Sequence, residues 1–238
     1  MSGYAQRFTA TGLRGEAMQK RCSAIFGRLF ALCVVVLFLA PWTGAQAGWF
    51  SGDDTEQLKD YKGADAGRLV VSLGAYRGAD YAFYRLFFHT HDKSKMAQVK
   101  YTANQPFLPQ RYTDYSDGIE AGDVAVWALA PGEYEFYNFE IYYAGGMVQE
   151  TFRSKEDFSI PFTIKPGKTV YLGEFRAMEI YVRNLFGLEV PGGAKFQIFD
   201  EHARDMPIAK VRDPLVGEPE ILLPDPAAIK SPFFQRLP

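Results

Sequence analysis

The sequence predicts a mainly β protein: an antiparallel β-sandwich with one short helix, following an N-terminal signal peptide. Three observations carry this reading. Seven or eight short apolar or alternating runs are separated by Gly- and Pro-bearing turns, the spacing of a sandwich rather than a helical bundle. The aromatic inventory, 20 Phe and 14 Tyr against 3 Trp, suits pleated, half-buried surface. Residues 29–40 form an apolar run with a basic flank and no alternation. The chain is otherwise ordinary in composition: 238 residues, 47% apolar, 23% charged, formal net charge −2. That balance excludes the strongly basic character of a nucleic-acid binder.

The run LFALCVVVLFLA, Leu29 to Ala40, follows Arg21 and Arg28 and precedes Pro41 and Ala45-Gln46-Ala47. Basic flank, apolar stretch and small residues at a cleavage site are the order of a secretory signal peptide, with cleavage expected after Ala47. Its 12 residues fall short of the roughly 20 that span a bilayer, so a membrane link is expected only through this segment, if it is retained. Met18 makes a more natural start for the basic region. Neither Cys22 nor Cys33 sits in a lipobox. Removing residues 1–47 takes away both cysteines, five basic residues and Glu16, leaving 21 basic and 27 acidic side chains, net −6. An exported chain of this kind, in periplasm or cell envelope, relies on its core rather than on disulfides. It keeps no cysteine nucleophile, thiolate metal site or redox pair.

After cleavage, residues 48–67 read as a polar leader, 68–212 as the sandwich and 213–238 as a tail. Leu69 to Leu73 is a compact strand ended by Gly74. Tyr81 to Thr90 places Tyr81, Phe83, Arg85, Phe87 and His89 on one face and apolar residues on the other, which predicts a central strand. Ala97 to Tyr101 is its partner, and Thr102 to Gly122 a long surface connection. Two hairpins are expected around Pro131-Gly132 and Pro166-Gly167, because Pro sets φ and Gly accepts positive φ in a type II turn. Phe158 to Lys165 alternates strictly, and Pro161 assigns it to an edge. Ala177–Arg183 and Lys195–Phe199 flank a turn at Pro191-Gly192-Gly193. Asp200 caps a short helix over 201–205, interrupted by Pro207. Six prolines from Pro214 onward make the tail extended, either free or laid over the domain.

The blocks ALAPGEYEFY (128–137), FSIPF (158–162), KPGK (165–168), VYLGEF (170–175) and Asp200-Glu201 with Arg204-Asp205 resemble a family of uncharacterised bacterial exported, lipoprotein-like proteins. The resemblance covers roughly residues 68–212. It implies a transthyretin-like or Ig-like β-sandwich and supplies no catalytic residues; the lipobox that some members carry is missing here.

Candidate chemistry is sparse. His89 and His91 share a face if their strand continues, a spacing that suits Cu or Zn with His202 or Asp92 as third ligand. Solvated histidines at a strand end are the commoner explanation of such a pair. Gly167-Lys168-Thr169 has Phe162 where a P-loop needs glycine, so no phosphate cradle forms. Asp114, Asp117 and Gly118 depart from an EF-hand loop and read as turn chemistry. The aromatic supply is richer: Tyr134, Phe136 and Tyr142 on one strand face, Tyr137, Phe139 and Tyr143 on the other, and Tyr112 and Tyr115 in the long loop.

The function expected from sequence is a non-enzymatic envelope interaction module with no cofactor, binding an envelope protein or polysaccharide and not nucleic acid. Tyr134, Phe136, Tyr142, Tyr112 and Tyr115 are its candidate ligand or partner surface. Two alternatives stand beside it: a carbohydrate-binding module using exposed aromatics, and a metal-binding or hydrolytic protein centred on His89 and His91. An aromatic patch on one sheet face favours the first; convergence of three ligand atoms favours the second.

Overall fold

The computed structural model describes residues 56–78, 81–103, 111–145 and 148–235. The expected signal peptide lies outside the described residues. The elements, in chain order, are β1 (Glu56–Gln57), β2 (Gly67–Tyr76), β3 (Tyr81–Thr90), β4 (Lys95–Thr102), β5 (Tyr115–Ser116), β6 (Glu120–Leu129), β7 (Gly132–Gly145), β8 (Val148–Arg153), β9 (Ile160–Ile164), β10 (Thr169–Arg183), β11 (Glu189–Phe199), α1 (His202–Arg212) and β12 (Pro219–Ile221). Among the described residues they form two six-stranded sheets. The first runs β1-β4-β3-β7-β8, with β9 also on β7; the second runs β11-β10-β2-β6-β5, with β12 also on β10. Their inner faces meet in one core that includes Leu69, Val71, Leu86, Phe88, Phe136, Phe139, Phe175 and Phe196.

The alternation of β3 and the continuous apolar run of β2 put both strands in sheet interiors, as their patterns require. The two Pro-Gly segments do something else. β6 lies in the second sheet and β7 in the first, while β9 lies in the first and β10 in the second. Each expected hairpin is therefore a crossing between sheets. Type II turns twist against the right-handed coil of paired strands, so a Pro-Gly link is better suited to carrying the chain across the core. At the second crossing Lys168 N–H donates to Lys165 O at 3.1 Å, with Gly167 at φ +62°. Because β10 arrives by a crossing, it pairs parallel with β2. β1–β4 and β10–β12 are parallel too, so the sheets are mixed rather than wholly antiparallel.

Three further corrections have local causes. Gly74 does not end β2: it pairs with Gly122 of β6, and a Cβ at either position would meet the Tyr115 hydroxyl at 2.5 and 2.1 Å. These glycines open the slot in which Tyr115 lies. Pro191-Gly192-Gly193 sits inside β11, where Gly192 and Gly193 oppose Ile180 alone, and the turn is Asn184–Leu188. Pro207 lies within α1, which continues to Arg212 because Asp205, Met206 and Ala209 are buried against the sheet. The tail is laid over the domain: β12 joins β10, Ile229 and Phe234 enter the core, and Gln235 N–H donates to Phe196 O at 2.9 Å.

Candidate binding face

The outer face of the first sheet is a grid fixed by strand register. One row crosses Thr102, Phe83, Tyr142 and Thr151; the next crosses Lys100, Arg85, Glu140 and Arg153. Then come Gln98, Phe87 and Asn138, and finally Met96, His89, Glu135 and Pro161. Aromatic and ionic rows thus alternate down the sheet. Phe83 stacks on Tyr142 with ring centroids 4.9 Å apart, and Tyr137 lies 4.5 Å from the His89 ring. Phe83, Phe87, Tyr137 and Tyr142 are all half-buried.

Charge is threaded between these rings. Arg85 Nη1 donates to Glu140 Oε1 at 2.9 Å and Arg153 Nε to Glu140 Oε2 at 2.8 Å. The Arg85 guanidinium sits 4.3 Å over Phe83, with Lys100 Nζ at 5.0 Å from the same ring. Burial, then repulsion from Arg85 and Arg111, pulls the Lys100 ammonium below its ordinary pKa. Cations outnumber carboxylates around Phe83, on a chain whose expected mature form is acidic.

At the lower end the face runs into a groove of about 840 Å³. His89, Glu135 and Tyr137 form one wall; Leu222, Leu223 and Asp225 of the tail form another.

This face owes its makeup to two bulges. Tyr137 is an extra residue on β7 opposite the Phe87–Phe88 step of β3, where β7 changes partner from β9 to β8. Tyr134 and Phe136 point inward before it; Phe139 and Ile141 point inward after it. Asn138 secures the site: its Oδ1 accepts from Phe139 N–H at 2.8 Å and Ser154 N–H at 3.2 Å, and its Nδ2 donates to Asp157. A second bulge at Ala82 turns Tyr81 into the core while Phe83 faces out.

The outer face of the second sheet is closed. Helix α1 lies across β2 and β6 and buries an ionic network. Asp205 is fully buried, accepting from Ser72 Oγ, from Tyr171 OH at 2.7 Å and from Arg204 Nε at 2.8 Å. Glu174 is equally buried, accepting from Tyr115 OH at 2.9 Å, Arg176 Nη2 at 2.7 Å and Arg204 Nη2 at 3.2 Å. Glu120 accepts from Arg204 Nη1 at 2.7 Å. Burial, reinforced by the Tyr115–Glu174 and Tyr171–Asp205 contacts, raises both phenols far above their ordinary pKa. Burial and the Glu174 charge also raise Glu120, and the two arginines only partly offset this.

Glu120, Glu174 and Glu201 bring three carboxylate oxygens within 4.8 Å of one another. They share one cation: Arg176 Nη2 contacts Glu120 Oε2, lies 2.7 Å from Glu174 Oε2 and 3.6 Å from Glu201 Oε1. A guanidinium stands where a metal would have to sit.

The residues singled out from sequence separate in the structure. Tyr134 is 5% exposed, Phe136 0% and Tyr115 9%, so these three belong to buried packing and form no ligand surface. The bulge on β7 and the glycine slot are the reasons. Tyr142 joins the outer face, and Tyr112 is fully exposed in the segment before β5. His89 is buried and its Nδ1 lies 2.9 Å from Thr90 O, whereas His91 stands in solvent beside Glu133. His202 pairs with Asp200 at 2.7 Å. Asp92 is held down to about 2 by bonds from Thr90 and Ser94, as a turn carboxylate. Among the described residues no cluster of three ligand groups includes any of these histidines. Phe83, Arg85 and Phe87 belong to this face as well, and their alternation along β3 is the sequence signal for it.

No protein-family model matches the chain, and no curated protein does. Among solved structures, a leucine-rich repeat protein from Bacteroides thetaiotaomicron VPI-5482 is similar at 12% identity and a TM-score of 0.28. The match covers 47% of this chain and 14% of that one. At that score the likeness carries no argument about fold or function.

Proposed function

We propose that this protein is a non-enzymatic, exported binding module that holds a polysaccharide on the outer face of its first sheet, with a preference for acidic chains. The observation that supports this is the alternation of aromatic and hydrogen-bonding rows across four adjacent strands. Sugars present apolar C–H faces and hydroxyl edges, and rings set among Arg, Glu, Asn and Thr meet both. The cationic surroundings of Phe83 favour carboxylated sugars. The family resemblance and the signal segment favour export; the metal or hydrolytic alternative, centred on His89 and His91, is less favoured because His89 is buried beside Thr90 O while His91 stands exposed beside Glu133.

The test is affinity electrophoresis in gels containing alginate, polygalacturonate or dextran. The protein should be retarded most by the acidic polymers. Tyr142→Ala and Phe87→Ala should each weaken retardation roughly tenfold, the scale of one lost stacking contact, while Tyr112→Ala should leave it unchanged. Equal mobility in all gels would refute the reading.

A further inference from the structure

The β10–β11 ribbon carries a feature that sugar binding does not use. Among the described residues β10 pairs beyond Ala177 with β11 alone, so the two strands project from the sheet as a hairpin. At its apex Leu185 is 101% and Phe186 88% exposed, with Leu188 at 63%. Contiguous apolar side chains exposed to this degree mark a contact surface.

We infer that this hairpin tip inserts into the interfacial region of a lipid bilayer. Shape is the first argument, because the apex is the tight Asn184–Leu188 turn that closes a two-stranded ribbon. Hydrogen bonding is the second. Phe186 N–H donates to Asn184 Oδ1 at 2.9 Å, Leu188 N–H to the same oxygen at 3.1 Å, and Gly187 N–H to Asn184 O at 2.9 Å. These amides are satisfied within the turn, which is what entry into hydrocarbon requires, and they are not available to bind a protein partner. Gly187, at φ +75°, permits this closed turn.

Layering is the third argument. One step behind the apex the charges pair with each other, Arg183 with Glu189 at 3.9 Å. Further back, the Tyr181 hydroxyl donates to Glu179 at 2.8 Å. With the apolar apex at the acyl boundary, the paired charges and the tyrosine fall at the depth of the headgroups, where such groups are tolerated. With no excess of basic residues at the tip, binding draws on apolar burial rather than on anionic lipid. This inference rests on the hairpin alone and is independent of the polysaccharide reading.

Flotation with phosphatidylcholine vesicles, with and without added phosphatidylglycerol, tests it, and no polysaccharide is present to confuse the two readings. The protein should float with both vesicle types at similar strength, and added salt should not release it. In Leu185→Ser/Phe186→Ser, whose urea midpoint should match the parent because both side chains are solvated, binding should fall at least about tenfold. A Phe186→Trp variant separates tip insertion from binding by residues 29–40. Its emission should shift to the blue on vesicles and be quenched by brominated lipid beyond the quenching seen in the parent. No flotation, salt-sensitive flotation confined to anionic vesicles, or no added quenching would overturn the proposal. Capture of a protein by the tip without vesicle binding would also overturn it.

Discussion

The two outer faces of this molecule are made from nearly the same side chains and are put to opposite ends. On the first sheet Arg85 and Arg153 flank Glu140 among the half-buried rings of Phe83, Phe87 and Tyr142. On the second, Arg176 and Arg204 flank Glu174 and Glu120 against Tyr115 and Phe199, and α1 seals them in. Side-chain exposure separates the pairs. The separation is one of degree: Arg85 and Arg153 retain 27% and 45% around a buried Glu140, whereas Arg176 and Arg204 retain 9% and 24% around Glu174, which retains none. Composition alone does not distinguish a displayed surface from a lock. The covering element decides.

The sharpest way to break the comparison is to remove one carboxylate from each face. Glu174→Ala removes the fully buried acceptor shared by Arg176, Arg204 and the Tyr115 hydroxyl, and should cost about 3–5 kcal/mol, the range for breaking one side of a buried ion pair. A urea melt showing less than 1 kcal/mol would mean that water already reaches the network. A substitution that spares both faces addresses the link between sheets. Gly167→Val forces a β-branched residue to φ +62° with no atom within 4 Å of its Cβ, so the expected loss of about 1–3 kcal/mol is backbone strain alone. Gly167→Asn, which tolerates that region, should recover most of it. On the open face Glu140→Ala leaves two arginines that can rehydrate, and about 1–2 kcal/mol is expected. If the Glu140 and Glu174 variants cost the same, the contrast between the faces fails.

The smallest effect is in pH dependence. Glu120 has its pKa raised in the folded state, mainly by burial. A carboxyl raised on folding binds its proton more tightly in the native than in the unfolded chain. Its ionisation therefore works against stability as pH rises from the unfolded to the folded pKa, and the effect is constant above the latter. Glu120→Gln keeps an acceptor for Arg204 and removes this dependence. The stability of the wild type relative to the variant should accordingly increase as pH falls from neutrality into the ordinary carboxylate range. Urea midpoints across that range would show it; a difference that decreases on acidification contradicts the assignment.

Much of the architecture was legible because it depends on periodicity. The alternation of β3 and β9 and the buried run of β2 each translate into position with little help from the rest of the chain, whereas the prolines of the tail specify an extended chain and not where it lies. Bulges are not legible in the same way. The extra residue at Tyr137 reverses the parity of everything after it on β7, so reading Tyr134, Phe136 and Tyr142 as one face mixes core with surface. Pro-Gly specifies a turn and not whether the next strand stays in the sheet; the two crossings follow from twist and from which apolar face must find the core. Glu174 and Arg176, two apart on a strand, were visible as a same-face pair, but their value depends on a helix that arrives from about 30 residues later.

The central claim is that the first sheet displays its outer face and the second locks its own. Hydrogen–deuterium exchange with and without alginate measures this directly. Added protection is predicted in β3, β7 and β8, with α1 and β6 unchanged. Protection that falls on α1 and β6, with β3 and β7 unaffected, would contradict it.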